Sequence, residues 1–398
     1  MKRVTALSIM ILLMMAGCIG CTPSTTPSND FITVDVTASY PKKELILQDF
    51  LDVEYIPLET TDEFLTSANI QAIGKDVMIF RNISRDGDIF IFDRNGKGLR
   101  KINRRGQGGE EYTNLLAIVL DEDDGEMFVN NHFSGKIVVY DLFGNFKRSF
   151  RQRENFFYDQ TGNFDRDNLI CHDGYYEVDK EELKRNLFLI VSKQDGKMEE
   201  IQTPYKERKL TVVFQRNANG KIISDRAIRN KELIPYQGSW ILVEISADTI
   251  YHYSPDHTIK PFIVRTPPVQ SMQPEVFLFP GVLTDRYYFM QTVKKEFNFA
   301  TNTGLPSTDL LYDKQEKAIF ECIVYNSDFT NKKPMSLVYE TPMFALVNNH
   351  EIAFAKRLEA PDLVEAYGKG QLKGKLKEIA AGLDEEANAV IMLAKYKK

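Results

Sequence analysis

The sequence is poor in the residues that most often hold metals or form covalent cross-links. Its 398 residues include four cysteines, five histidines and one tryptophan. Cys171 and Cys322 lie far apart, and Cys18 and Cys21 lie near the N-terminus, so the cysteines form no disulfide framework and no zinc motif in the body of the chain. No histidine stands at metal-ligand spacing from another. We therefore expect no metal site and no cofactor.

The common catalytic signatures are also missing. The chain contains no Gly-x-Ser-x-Gly elbow, no His-Glu-x-x-His helix and no Walker-type loop. The acidic run 121–125 resembles a calcium loop, but its glycine comes fifth, where the EF-hand pattern needs an oxygen ligand. We assign no catalytic residue and predict that the protein is not an enzyme.

The charge of the chain argues against a nucleic-acid partner. The full sequence carries a formal charge of −6. Without residues 1–17, which include Lys2 and Arg3, 48 cations and 56 anions remain and the charge is −8. A mildly acidic protein repels phosphate backbones.

The N-terminus reads as an export signal. Lys2 and Arg3 precede an almost unbroken apolar run, 4–15, which is short for a membrane span. Met15-Ala16-Gly17-Cys18 resembles a bacterial lipobox, which implies a signal peptide over 1–17 and lipidation at Cys18. An ordinary secretory signal, or the use of Cys21 instead, remains an alternative.

The residues after the signal are rich in Ser, Thr and Pro and have few large apolar groups. Such a segment cannot bury enough surface to order itself. We predict a flexible tether and lead-in over 18–48, with the folded domain at 49–398. A lipid would then anchor this domain to a membrane of the bacterial cell envelope, in the periplasm or at the cell surface.

A strand–turn–strand unit recurs along the folded part. Residues 89–96 are echoed by 137–144, an offset of 48 residues, and weaker copies have their turns at 196, 257 and 316. Val, Ile, Phe and Tyr fill the strands, and Asp, Asn and Gly mark the turns. A repeat of this length indicates units that bury their apolar faces only against neighbours.

The repeat predicts an all-β fold, a six-bladed β-propeller of four-stranded blades. In the two clearest units the predicted strands are 70–74, 77–81, 88–93, 98–102, 116–121, 126–130, 136–141 and 145–150. The sixth unit has strands at 343–348, 351–356 and 388–395 and lacks a fourth, which the N-terminal segment 52–58 can supply and so close the ring. A solenoid is the alternative, but no end caps are evident.

Residues 361–386 depart from this pattern. Leu372, Leu376, Ile379 and Leu383 recur at three- and four-residue steps, which predicts a short amphipathic helical insert near the C-terminus.

Three segments carry a family resemblance: Val53–Thr60, Ile91–Asp93 and Arg104–Tyr112. Together they resemble bacterial six-bladed β-propeller lipoproteins, architectural relatives of the NHL-repeat propellers. The resemblance implies a fold and a location in the cell. It says less about a reaction. One departure is that Gly108-Gly109-Glu110-Glu111-Tyr112 stands where the family usually has Gly-Pro-Gly-Glu-Tyr.

Propeller topology indicates where a ligand would bind. The loops between second and third strands and the blade-to-blade crossovers emerge on one face, and these are the long connections. Aromatic rings beside cations and amides suit a sugar or a peptide. The candidate ligand-binding residues are Arg104, Arg105, Gln107, Tyr112, His132, His172, Tyr175 and Phe297.

We therefore expect a membrane-anchored binding or interaction protein whose partner is a glycan, a peptide or an envelope protein. The alternative is a propeller hydrolase or lyase, lactonase-like with a metal in the central channel, although the predicted first strands are mainly apolar and provide few metal ligands. A purely structural subunit of an envelope complex is a third hypothesis.

Overall fold

The computed structural model describes residues 31–82, 86–174, 185–338 and 349–397. Within them the chain forms six β-sheets that are the blades of a propeller, which confirms the predicted all-β, six-bladed fold. The strands of a blade run antiparallel, from a first strand near the axis to an outer fourth strand.

Blades 1 and 2 match their predicted strands to within one or two residues. The strands of blade 1 are Asn69–Ile73, Val77–Arg81, Asp88–Asp93 and Gly98–Asn103. Those of blade 2 are Ala117–Asp121, Glu126–Asn131, Lys136–Asp141 and Phe146–Arg151.

The next three blades are also four-stranded at their centre. Blade 3 comprises Tyr158–Asn163, Asn168–Asp173, Phe188–Ser192 and Met198–Ile201. Blade 4 comprises Leu233–Tyr236, Ser239–Leu242, Thr249–Tyr253 and Ile259–Thr266. Blade 5 comprises Val276–Leu283, Tyr287–Lys294, Ser307–Asp313 and Ala318–Tyr325, and the short strand Pro334–Met335 pairs with the end of the last of these.

Blade 6 joins both ends of the chain, as predicted. Its described strands are Ile352–Leu358, Val390–Tyr396 and Leu51–Pro57, and the last two pair antiparallel from Leu51 opposite Tyr396 to Pro57 opposite Val390. The predicted first strand at 343–348 lies outside the described residues.

The segment predicted as lead-in contains two further strands. Ile32–Asp35 pairs in parallel with the fourth strand of blade 4, and Lys42–Ile46 pairs in parallel with that of blade 5. A short helix, Leu47–Phe50, then leads into blade 6. This N-terminal arm, residues 31–50, covers the outer edges of blades 4 and 5 before the chain closes the ring.

The helical insert consists of two helices rather than one. Ala360–Gly368 ends where Gly370 takes a left-handed conformation at φ 65°, and Gly374–Ala380 follows. Leu363, Leu376 and Ala380 face the core between blades 5 and 6.

The repeated turn has a simple physical basis. In the turn after the third strand of blade 1, one oxygen of Asp93 accepts the backbone N–H groups of Asn95 and Lys97, at 2.8 and 2.9 Å. Asp141 makes the same bonds with Phe143 and Asn145. The glycines of these turns have φ of 86° and 83°, which only glycine adopts without strain.

The core lies between neighbouring blades, and the inner strands of a blade are buried on both of their faces. Ile79, Ile89 and Ile91 pack towards blade 2, whereas Phe80 and Phe90 pack towards blade 6. This explains the continuous apolar runs of the inner strands. In the described part of the chain no helix is long and apolar enough to cross a membrane.

One buried ion pair fixes the N-terminal arm to blade 5. Asp313 is fully buried and accepts Lys43 Nζ at 2.8 Å and Arg286 Nη2 at 3.0 Å. Burial opposes its ionisation, but these cations and the backbone N–H groups of Gln315 and Glu316 hold the pKa of Asp313 well below its usual range.

We expect Asp313→Asn to lower the free energy of unfolding by about 2–4 kcal/mol, because it leaves Lys43 and Arg286 without their buried partner. Since the folded-state pKa is depressed, this contribution is present above the unfolded pKa of about 3.9 and is lost as the pH falls below it. Urea unfolding at pH 7 and pH 3 measures both effects. The control is Glu316→Gln, which removes the half-exposed partner of Lys43 and should cost under about 1 kcal/mol. Equal losses of unfolding free energy in Asp313→Asn and Glu316→Gln would contradict the stabilising role of the buried Asp313 carboxylate.

Candidate functional site

The two ends of the propeller differ in the length of their connections. The 1–2 turns of blades 1–4 span only two to four residues, at 74–76, 122–125, 164–167 and 237–238. The crossovers include 104–116, 152–157 and 202–232. We call the end with the crossovers and the 2–3 loops the long-loop face, and the other end the turn face.

Two hairpins extend the long-loop face. Val212–Arg216 pairs with Ile222–Ala227 in the crossover to blade 4, and Phe297–Asn298 pairs with Thr303–Gly304 in the 2–3 loop of blade 5. They touch through Arg226, whose Nη2 donates to Asn302 Oδ1 at 2.8 Å and whose guanidinium lies 5.3 Å from the ring of Phe297. Phe297, a predicted ligand-binding residue, is half-buried and also contacts Phe299.

A polar cluster lies at the same end of blades 3 and 4. Asp159 is at the start of the first strand of blade 3, His172 is at the end of its second strand, and Glu232 directly precedes the first strand of blade 4. One ligand atom from each of the three lies within 4.8 Å of the others. His172 Nδ1 is 2.7 Å from Asp159 Oδ1, and both residues are buried. His172 was predicted to bind a ligand, and the structure places it in this cluster.

A β-bulge brings Asp159 into position. Tyr158 pairs with Asp173 and Gln160 pairs with His172, so Asp159 is the extra residue on its strand. A bulge of this kind turns one side chain out of the regular alternation, and bulges are frequent beside functional sites.

Gln160 links the cluster across the two blades. Its Oε1 accepts the backbone N–H groups of Glu232 at 3.1 Å and Leu233 at 3.0 Å, while its Nε2 donates to the Glu232 carboxylate. The Glu232 side chain is therefore held by a fully buried amide.

The cluster concentrates charge in a buried place. Burial by itself favours neutral imidazole, but the carboxylates of Asp159, Glu232 and Asp173 outweigh it and raise the pKa of His172 to about 9. Burial raises the pKa of Glu232 and of Glu244, which follows the second strand of blade 4. Burial also lowers the pKa of Lys231 to about 7, although Glu232 opposes the shift.

A row of aromatic rings continues outward from this cluster. The ring of His132 lies 4.4 Å from that of Phe157 and 5.5 Å from that of Phe133. The backbone N–H of Phe157 donates to Asp173 at 2.8 Å, next to His172. The Phe133 side chain is 69% exposed, so an apolar ring faces solvent at this end of blade 2. His132 is the second predicted residue found beside the cluster.

The other predicted residues do not join this group. Arg104 donates through Nε to the carbonyl of Gly144 at 2.9 Å and serves the contact between blades 1 and 2. Arg105 and Gln107 are exposed on the crossover. Tyr112 is fully buried, where its hydroxyl donates to the carbonyl of Gly87 at 2.6 Å and accepts the N–H of Arg104 at 3.0 Å. Tyr175 lies outside the described residues.

Because the Tyr112 ring is fully buried, the geometry favours a structural role over the predicted ligand contact. Sequence reasoning, in turn, missed Asp159 and Glu232. They stand 73 positions apart, and no local motif marks either. The polar sequence Asp159-Gln160-Thr161 in a strand that is buried along most of its length was the available signal.

A cavity with a volume of about 710 Å³ opens on the turn face. Its lining includes the 1–2 turns of blades 1, 2 and 3, with acidic residues from Asp121 to Asp124. Several of its carboxylates already have partners: Asp121 pairs with Lys193 at 2.5 Å, and Glu122 accepts the backbone N–H groups of Asp76 and Val77. These carboxylates hold the blades together, so we place the candidate site on the long-loop face.

We expect Tyr112→Phe to lower the free energy of unfolding by about 1–2 kcal/mol, because the carbonyl of Gly87 and the N–H of Arg104 lose a buried partner. The structure of the long-loop face should not change. Chemical denaturation gives the stability, with Tyr367→Phe as the control, since Tyr367 is 40% exposed. A neutral Tyr112→Phe substitution would contradict the structural role.

Comparisons with known proteins agree with the fold. No curated protein matches the chain. A candidate exported protein from Bacteroides fragilis is 14% identical, with a TM-score of 0.59 over 92% of this chain and all of that one. A member of the DUF4221 family from Bacteroides vulgatus is 11% identical, with a TM-score of 0.45 over 88% of this chain and 99% of that one.

Virginiamycin B lyase from Staphylococcus aureus is 10% identical, with a TM-score of 0.36 over 87% of this chain and all of that one. The last two TM-scores are below 0.5, so of these three structures we use the Bacteroides fragilis protein alone as support for the fold. A family model, the domain of unknown function DUF4934, matches residues 31–395. The chain, whose own fold is a six-bladed β-propeller, therefore belongs to the DUF4934 family.

Proposed function

We propose that this protein is an exported binding protein, anchored to a membrane by a lipid on Cys18, that captures a glycan at its long-loop face. The observation that carries the proposal is the row of rings from Phe133 through His132 to Phe157, whose backbone N–H donates to Asp173 next to His172. Export is supported by the apolar N-terminal run and by the likeness to a candidate exported protein.

The chemistry of this row suits a sugar. One face of a sugar ring presents C–H groups that stack on aromatic rings, and its hydroxyls are donors and acceptors for carboxylates and amides. Phe133 offers an exposed ring, and Glu232 offers a carboxylate that Gln160 holds in a fixed position. The two hairpins that Arg226 joins extend the same face.

Binding is tested by isothermal titration of the mature protein with maltohexaose, chitohexaose and hexaalanine. We expect an oligosaccharide to bind and Phe133→Ala to weaken its affinity about tenfold, the value of one aromatic contact. The matched control is Phe143→Ala, because Phe143 is 64% exposed on the same blade but lies in the 3–4 turn.

Unchanged affinity in Phe133→Ala would remove the aromatic row from the site. Binding of hexaalanine alone would replace the glycan with a peptide. If no probe bound and detergent-solubilised membranes yielded a stable complex, the role of a structural envelope subunit would replace glycan capture.

The anchor is tested separately. In a bacterial host we expect the wild-type protein to partition into the detergent phase of Triton X-114, and Cys18→Ser to move it to the aqueous phase, because the acyl chains are lost. Cys21→Ser is the matched control and should stay in the detergent phase. The reverse result would assign the lipid to Cys21.

A further inference from the structure

The cluster on the long-loop face has a feature that glycan binding does not require. Asp159, His172 and Glu232 bring an imidazole and two carboxylates within 4.8 Å of one another. We propose that they form a binding site for one divalent transition-metal ion, next to the buried carboxylate of Glu244. This goes beyond the proposed function and does not depend on it.

The second observation comes from Glu244. Its side chain is only 2% exposed, and Oε2 has no hydrogen-bond partner among the described residues, although Oε1 accepts the N–H of Ser246 at 2.9 Å. A buried carboxylate oxygen without a partner costs free energy that a bound cation would offset.

Glu244 also lies beside the cluster. The carbonyl of Glu232 accepts the N–H of Val243 at 2.8 Å, so Glu244 follows the residue that pairs with Glu232. The charge of His172 acts to lower the pKa of Glu244, although burial dominates and raises it. The orphaned oxygen and the three-residue cluster therefore belong to one place in the fold.

The charges of the cluster favour a cation. Asp159, Glu232 and Glu244 contribute three carboxyl groups, His172 and Lys231 act on Glu232, and Arg208 acts together with His172 on Glu244. Asp173, the fourth acidic residue nearby, is already paired with Arg185 at 2.7 Å. A divalent ion would compensate the remaining carboxylates at a single point.

The surroundings resemble the outer shell of a metal site. His172 Nδ1 and Asp159 Oδ1 lie 2.7 Å apart and share a proton, which an ion bound between them would displace. Gln160 holds the Glu232 carboxylate through Nε2 and the Glu232 backbone through Oε1. A single imidazole with carboxylates suits Zn²⁺ or Mn²⁺ better than Ca²⁺ or Mg²⁺, which prefer oxygen alone.

The test uses the mature protein after treatment with EDTA. Zn²⁺, Mn²⁺, Ca²⁺ and Mg²⁺ are titrated in turn by calorimetry, and bound metal is counted by mass spectrometry after gel filtration. We expect one equivalent of Zn²⁺ or Mn²⁺ and a higher melting temperature with that ion. No stoichiometric metal, or binding of Ca²⁺ and Mg²⁺ alone, would overturn the proposal.

Variants locate the ion. Glu232→Gln and His172→Gln keep the shape of the side chains and should each weaken metal affinity at least about tenfold. Glu126→Gln is the control, because Glu126 is a similarly buried carboxylate paired with Arg148 in blade 2. Circular dichroism and thermal unfolding without metal show that each variant folds. Wild-type metal content in folded Glu232→Gln and His172→Gln would overturn the assignment. Since no sugar is present, the outcome is independent of glycan binding.

Discussion

The fold depends on one antiparallel strand pair, in which the beginning of the domain closes its end. Leu51–Pro57 pairs along its length with Val390–Tyr396, so residues more than 300 positions apart complete blade 6. Without this pair the third strand of blade 6 would be an open edge, and the apolar surface between blades 6 and 1 would be exposed. Asn388 reinforces the closure, since its Nδ2 donates to the carbonyl of Glu59 at 2.7 Å.

The inner ends of the blades are joined by buried amides. The inner edge of each first strand faces the axis, so its backbone groups need partners outside their own sheet. Gln71 accepts the N–H of Ile118, Asn130 donates to the carbonyl of Tyr158, and Gln160 accepts the N–H of Leu233. These contacts join blade 1 to 2, 2 to 3, and 3 to 4. Only Gln160 also holds an acidic side chain, so the same device that joins two blades positions part of the candidate site.

The sequence predicted the features that depend on local chemistry. The strands of blades 1 and 2 were found because Asp93 and Asp141 start turns that end in a left-handed glycine. The two strands of the N-terminal arm were not predicted, because Ile32–Asp35 and Lys42–Ile46 are short and acquire their pairing only from blades 4 and 5.

The candidate site was only partly predictable, for the same reason. His132 and His172 could be assigned to the long-loop face from topology, but Asp159 meets Glu232 only through the packing of blade 3 against blade 4. Tyr112 was predicted as a ligand contact, whereas its ring is fully buried and its hydroxyl donates to the carbonyl of Gly87. Spacing along the chain carries no information about either contact.

The turn face and the long-loop face both carry acidic side chains, but these side chains differ in their partners. On the turn face, the carboxylates of Asp121 and Glu122 bond to Lys193 and to backbone N–H groups of blade 1, so their charge is used to join blades. On the long-loop face, Glu244 retains an oxygen with no partner in the described residues, beside three residues that can ligate an ion. A fold tolerates a buried group of this kind when something outside the chain satisfies it. For this reason we place the ligand site at the long-loop face and not in the cavity of about 710 Å³ on the turn face.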